Sequence, residues 1–317
     1  MHSKANINVS VSGFNSPYQG INGPHTLKLT RAELLWAVIS VGSKSLQDAS
    51  SGGFLRIGQH IGNSLLVLTN IAIVNGDLSL HPIFFTMDQS ERNIVTYKLG
   101  MALTKYLASE LLDIAWLEHA DRLIADGTIK LGAGSRKRGD LVGKDLSGDW
   151  HAFEAKGRAN SPSPNTISDA KIQVRNIVQI GSSAPRTNCV SLIRTDLTPI
   201  SVILEDPQSN ESEGVKYSIS EEKFLITYYS HLVELLRSSK TKIRTFSNVE
   251  YRTLTLNTAG LEYGFGLPVE IYQSPGIARL FVKEHLQHSK QKSDDLELNY
   301  HIGKDGIVAF FNPLIDE

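Results

Sequence analysis

The stretch DQSERNIVTYKLGMALTKYLASELL, residues 88–112, constrains the fold more than any other part of the chain. Asp88 and Glu91 stand in capping-box spacing, with the side chains placed to satisfy each other's free amides at a helix start. Apolar residues at Ile94, Tyr97, Met101, Leu107 and Leu111 keep a helical period, so the spacing predicts one long amphipathic helix. Directly after it the period changes to alternation in DIAWLEHADRL, IKLGAGS, RGDLVGK and WHAFEAK, which reads as three strands joined by Gly-containing turns. SPSPN (161–165) breaks the chain, SDAKIQVRNIVQI returns to helical spacing, and NCVSLIRT is β-rich. The expected core is α/β, in the order α-β-β-β-α-β.

Additions are expected on both sides of that core. Thr30 and Glu33 form a second capping box, which starts a short helix at Arg31, and two strand-like runs follow at about 53–59 and 64–74. EDPQSNESEG (205–214) is polar, holds Pro and Gly and has no apolar period, as a linker or long surface loop should. Beyond it, Ser218 and Glu221 are spaced to cap a helix, a hairpin is expected at 249–265, a helix near 277–290 and a last strand at GIVAFF. The division is therefore an N-terminal α+β region (1–87), a core (88–204), the linker, and a C-terminal α+β segment (215–317). That last segment has few clustered carboxylates and several exposed-looking aromatics, Tyr228, Tyr229, Tyr251 and Tyr263, which suggests recognition or oligomerisation.

The chain of 317 residues is 41% hydrophobic, enough for a full core, and its formal net charge of −1 excludes a protein that holds nucleic acid by bulk charge. The single Cys189 rules out an internal disulfide and a Cys-rich metal site, which fits a reducing compartment. The N-terminus lacks a signal-peptide pattern, and the longest apolar run, LLVLTNIAIV, is about half a membrane span. A cytoplasmic protein with no membrane attachment is expected.

The chemistry concentrates in RGDLVGKDLSGDWHAFEAKGR (138–158). Glu154 and Lys156, two apart on an expected strand, share one face. With a turn over Asp145–Asp149 the preceding strand pairs antiparallel and Asp140 falls opposite Glu154, whereas a shift of one residue would send it to the other face. Two carboxylates about 5 Å apart repel unless a cation lies between them. Hard divalent ions such as Mg²⁺ prefer this oxygen-rich setting. Lys156 beside them can orient a water or steady developing negative charge. A solvated, salt-bridged hairpin is the bland alternative. Glu-x-Lys spacing alone does not decide between them, since Glu221–Lys223 and Asp169–Lys171 repeat it on expected helices. Between residues 130 and 175, nine basic residues (Lys130, Arg136, Lys137, Arg138, Lys144, Lys156, Arg158, Lys171, Arg175) face five acidic ones (Asp140, Asp145, Asp149, Glu154, Asp169). This is how a local phosphate-binding surface would look on a neutral chain.

The pieces RGDLVG, FEAKGR and AKIQ, in this order, resemble the PD-(D/E)xK nuclease superfamily and its restriction-endonuclease-like fold over roughly residues 88–200. The resemblance implies that Asp140 and Glu154 bind Mg²⁺, with Mn²⁺ as a substitute, and that Lys156 assists the attacking water. Gln173 matches a helical Gln of several branches, and Gly139 stands where a Pro is frequent. The expected function is a Mg²⁺-dependent nuclease acting on DNA, an endonuclease, with Arg136, Arg138, Arg158 and Lys171 as nucleic-acid contacts. A non-catalytic nucleic-acid-binding or scaffold protein that keeps the fold is the alternative. A defence or mobile-element nuclease, silent until a protein partner or a second copy releases it, is a further option.

Other signals weigh less. His119 and Asp121 in LEHAD, and Glu91 and Glu110 on the long helix, are candidates to join the site, although Glu91 already has a role as a cap. HSKQKSDD (288–295) fits an HxKxxxxD spacing through His288, Lys290 and Asp295, but it stands alone and closes a charged helix rather than a strand. No GxxxxGK[ST], HExxH or GxSxG occurs, which removes the ATPase, zincin and serine-hydrolase classes.

Overall fold

The computed structural model describes residues 4–41, 53–132, 138–159, 163–196, 198–207, 213–258, 261–286 and 300–313. Strands β1 (Ala5–Ser12) and β2 (Gly23–Leu29) lead into helices α1 (Arg31–Val41) and α2 (Gly53–Thr69), strands β3 (Ile71–Val74) and β4 (Asp77–Leu80), and the long helix α3 (Gln89–Leu112). The middle of the chain holds β5 (Ile114–His119), α4 (Ala120–Ala125), β6 (Lys130–Leu131), β7 (Leu141–Asp145), β8 (Trp150–Arg158), α5 (Pro164–Arg175), β9 (Ile177–Ile180), β10 (Thr187–Arg194) and β11 (Ser201–Glu205). The remainder comprises β12 (Val215–Ser218), α6 (Glu221–Ser238), β13 (Lys242–Phe246), β14 (Val249–Thr258), β15 (Leu261–Pro268), α7 (Val269–Gln273), α8 (Ala278–Phe281), β16 (Tyr300–Ile302) and β17 (Val308–Pro313).

The architecture is mixed α/β. Its main sheet runs β3-β4-β1-β11-β10-β8-β7-β5, with β2 paired to β1. Strand β7 is antiparallel to both of its neighbours, β5 and β8, and β10 lies parallel to β8. Strand β1 enters the same sheet parallel to β11. Smaller sheets are β6-β12-β9 and β13-β14-β15-β17-β16.

Helix α3 begins as the sequence indicates. The Asp88 carboxylate accepts the Glu91 amide at 2.9 Å, and Glu91 accepts the Asp88 amide at 3.1 Å. The expected apolar stripe is only partly the buried one. Ile94 and Tyr97 are exposed, while residues 99 to 109 are buried all round, because β8, β5, β10, α1 and α2 surround this part of the helix. The approach to β8 is backbone to backbone: a Cβ on Gly100 would come within 2.9 Å of the Gly157 amide nitrogen. Gly157 therefore faces α3. Side chains alternate along a strand, so Glu154, Lys156 and Arg158 face the opposite side of the sheet.

A buried polar cluster ties the far end of the chain to this core. Asp305, with no exposed surface, accepts from Trp36 Nε1 at 2.9 Å, from the Tyr228 hydroxyl at 2.6 Å and from the Ile307 amide at 3.0 Å. The ammonium of buried Lys105 lies 3.3 Å from its carboxylate. Trp116 Nε1 donates to the Tyr229 hydroxyl at 2.8 Å, which in turn donates to the Asp305 carbonyl. Tyr228, Tyr229, Tyr251 and Tyr263 are all buried, so the expectation of exposed recognition aromatics is overturned. Tyr228, Tyr229 and Tyr263 pack in the main core, and Tyr251 packs with Phe246, Val308 and Phe310 of the C-terminal sheet.

Other expectations fail locally. Residues 53–69 form α2 rather than strands, since Ile57, Ile61, Leu65 and Leu68 recur at helical spacing and outweigh the local β-rich composition. The end of DIAWLEHADRL turns into α4, and IKLGAGS contributes only Lys130–Leu131, paired to β12 outside the main sheet. The end of SDAKIQVRNIVQI is strand β9. The cap of α6 is Ser220, whose hydroxyl accepts the Lys223 amide at 3.4 Å, while Ser218 pairs with Lys130 in β12. The helix near 277–290 is α8 followed by a π-turn to Leu286, and residues 287–290 lie outside the described residues. So do His288, Lys290, Asp295 and residues 208–212 of the 205–214 stretch. Among the described residues no helix is long and apolar enough to cross a membrane.

Candidate active site

The register of the β7–β8 pair sets the site. Leu141 pairs with Phe153 and Lys144 with Trp150, so Asp140, the residue before β7, falls opposite Glu154. The turn closes through the Asp145 carboxylate, which accepts the Gly148 and Asp149 amides at 2.7 Å each. Asp140 is held from two sides: its carbonyl accepts the Ala120 amide at 2.9 Å, and its Oδ2 accepts the Ala155 amide at 3.3 Å. Gly139 is needed for that fit. A Cβ there would meet the Phe153 carbonyl oxygen at 2.8 Å and Ile177 Cδ1 at 3.3 Å, so the close approach of β8 and β9 leaves no room for a side chain.

The three charges converge. Lys156 Nζ forms a close ion pair with Glu154 Oε1 and lies 3.8 Å from Asp140 Oδ2. Glu154 is fully buried, Asp140 half-buried, and neither Glu154 oxygen has a geometrically formed hydrogen bond. Burial, reinforced by the Asp140 charge, raises the Glu154 carboxyl to about 7, against the lowering effect of Lys156. Burial also raises Asp140, with Lys156 and the Ala155 amide opposing. Two facing carboxylates thus share one ammonium, the arrangement expected where a cation must offset them.

A divalent ion fits the donor type. Glu154 presents buried oxygens met only by the Lys156 ammonium, and Asp140 presents a second carboxylate beside them. Among the described residues no group of three or more His, Cys, Asp or Glu side chains converges. An ion here would draw its other ligands from water and substrate, as Mg²⁺ commonly does.

Lys156 also lines a cleft of about 250 Å³ between β8 and α5, together with Arg158, Thr166, Asp169 and Gln173. Gln173 thus reaches the same space as Lys156. Asp169 and Thr166 had no place in the sequence-derived site, although their spacing with Gln173, three and four residues apart, marks one face of α5. The other basic candidates are engaged or distant. Arg138 pairs with Asp121 at 2.5 Å and Lys171 with Glu205 at 2.7 Å. Lys144 is buried, 3.3 Å from Glu221 and over the Trp150 ring. Arg136 lies outside the described residues. Arg158 is exposed and has no carboxylate partner among the described residues.

Of the further acids and bases, Glu91 serves the α3 cap, and Glu110 lies toward the other end of α3, where the charges of Lys304, Glu33 and Asp113 act on it. Buried His119 ends β5 opposite Leu141, and Asp121 reaches Asp140 only through its charge while Arg138 holds it. Sequence reasoning missed Tyr217 of β12. It is buried, its hydroxyl has no hydrogen-bond partner, and burial raises its phenol while the charges of Arg138, Asp121, Glu154 and Asp140 all act on it. Only the pairing of β12 with β9 and β6 brings it there, and no local pattern announces that.

No family model, no curated protein and no solved structure matches the chain.

Proposed function

We propose that the protein is a divalent-metal-dependent nuclease of the PD-(D/E)xK type that hydrolyses phosphodiester bonds of DNA. The observation that carries this reading is the convergence of Asp140, Glu154 and Lys156 at one point, beside a cleft that Gln173 also lines. The order α3, β5, β7, β8, α5, β10, with three antiparallel strands and a fourth parallel to β8, agrees with a restriction-endonuclease-like core.

Bound Mg²⁺ or Mn²⁺ would neutralise charge on the phosphate and acidify the attacking water. Asp140 and Glu154 would hold the ion through their carboxylate oxygens, which in its absence face the Lys156 ammonium. Glu154 must be ionised to do so; burial raises its carboxyl in the metal-free chain, and a bound cation would favour the charged form. Lys156, partly exposed, turns its ammonium from the carboxylates toward the water or a non-bridging phosphate oxygen as charge develops. Gln173 offers a carboxamide donor and acceptor to the same water or to the substrate backbone.

A non-catalytic nucleic-acid-binding or scaffold protein is the second reading. The close Lys156–Glu154 pair favours it, since that pair offsets the buried carboxylate with no ion at all. Incubating the full chain with plasmid, linear and single-stranded DNA and with RNA decides between them. Cleavage in Mg²⁺ or Mn²⁺ that stops in EDTA, in Asp140→Asn and in Lys156→Ala is expected. No cleavage of any substrate with either metal overturns the enzyme reading.

A further inference from the structure

The cleft beside the site carries more than the cleavage chemistry needs. Arg158 is two residues beyond Lys156 on β8, so the two side chains leave the same face about 7 Å apart along the strand. Opposite them α5 presents Thr166, Asp169 and Gln173 to the same 250 Å³ space. The charges of this space are unevenly committed. Lys156 is offset by Glu154 and Asp140, whereas neither Arg158 nor Asp169 has a partner within ion-pair distance among the described residues, although both line the cleft. The other basic side chains near the site, Arg138 and Lys171, are closed off by Asp121 and Glu205.

We infer that the β8–α5 cleft is a subsite for one backbone phosphate of a DNA strand, next to the phosphate under attack, with Arg158 as its binding group and Asp169 as a fence. This rests on the nuclease reading above. A guanidinium with free N–H groups matches two phosphate oxygens at once, which Lys cannot do. The Thr166 hydroxyl, 3.0 Å from the Ser163 hydroxyl, lines the same cleft wall. Asp169 repels any additional phosphate, so the strand enters in one register, with a single anion beside Arg158 and the next phosphate at Lys156. The substrate class that follows is an internal phosphodiester with a charged neighbour, not an isolated phosphate ester.

The two charges make opposite demands on affinity. Binding of a fluorescent DNA oligonucleotide to the full chain, measured by anisotropy in Ca²⁺ at fixed salt, tests this without cleavage. Arg158→Ala is expected to raise Kd about tenfold, by loss of one phosphate contact, with Arg158→Lys between it and wild type. Asp169→Asn is expected to lower Kd about threefold, since a like charge is removed from beside the phosphate. A scan with a single methylphosphonate along the strand should find one position where wild type and Arg158→Ala become equal. If the variants bind as wild type does, if no position equalises them, or if wild type binds no DNA, the subsite is overturned. Asp169→Asn that abolishes a Mg²⁺-induced rise in melting temperature would make Asp169 an ion ligand and also overturn it. Cleavage with unaltered variant affinities leaves the nuclease standing without the subsite. Opposed affinity shifts without cleavage by wild type leave the subsite and remove the nuclease.

Discussion

Replacing Gly157 by alanine would drive a methyl group into the Thr96 carbonyl, 2.6 Å from its carbon and in still closer overlap with its oxygen. Carbon atoms in contact sit about 3.5 to 4.0 Å apart, so α3 and β8 must separate by about 1 Å. Both partners are backbone, Thr96 within α3 and Gly157 one residue from the end of β8, and no side chain can rotate away. Overpacking a core costs typically about 1 to 3 kcal/mol, and a backbone collision belongs at the upper end. For a chain of 317 residues, with an unfolding entropy of about 2.1 cal/mol/K per residue, that corresponds to a melting temperature lower by roughly 4 to 5 °C. The same shift reaches the site, because Gly157 lies between Lys156 and Arg158, and a displacement of about 1 Å at a reacting group costs on the order of a hundredfold in rate. Thermal melts and cleavage assays on Gly157→Ala, with Gly62→Ala as control, measure both effects. A Cβ on Gly62 meets nothing within 4 Å, and that helical change should stabilise by roughly 0.5 to 1 kcal/mol. A Gly157→Ala protein that melts within a degree or two of wild type and cleaves at the wild-type rate would refute the backbone contact and the link drawn from it to the site.

Three further outcomes are expected. The Glu154 carboxyl is raised above its ordinary 4.5 to about 7, so the folded chain holds an extra proton between those values and stability falls as pH rises through them; in chelator the melting temperature should drop from pH 5 to 8, and Glu154→Gln should flatten that profile, whereas parallel profiles would contradict the burial of this charge. Asp305→Ala leaves buried Lys105 without its counter-charge and Trp36 and Tyr228 without their acceptor, a loss of about 3 to 5 kcal/mol by denaturant unfolding. Gly139→Pro, which restores the residue frequent in the resembled motif, should lower both melting temperature and metal response, because its ring would strike the Phe153 carbonyl; a variant with the wild-type Mg²⁺-dependent rise in melting temperature would contradict that packing.

Much of the site was legible because its geometry is local. Asp140, Glu154 and Lys156 sit on one hairpin, where turn length and the two-residue period settle which side chains meet. The capping boxes at Thr30 and Asp88 were equally plain, since both partners lie within four residues. What depends on distant pairing was hidden. Tyr217 comes to the site through β12, and Tyr228 and Tyr229 are drawn inward by Asp305, more than seventy residues away in the chain. The α2 stretch misled because its glycines and dense apolar residues blur the helical period. Ser218 and Ser220 offer the same chemistry two residues apart, and only the ladder with Lys130 excludes the first as a cap.

The place of Asp305 also bears on synthesis. Lys105 and the hairpin with Asp140 and Glu154 leave the ribosome long before residues 300–313, a delay of roughly 7 to 30 seconds at ordinary elongation rates. Through that interval Lys105 of α3 lacks the carboxylate that it pairs with in the folded chain. The candidate site residues are therefore all synthesised before the carboxylate that closes the buried cluster behind them.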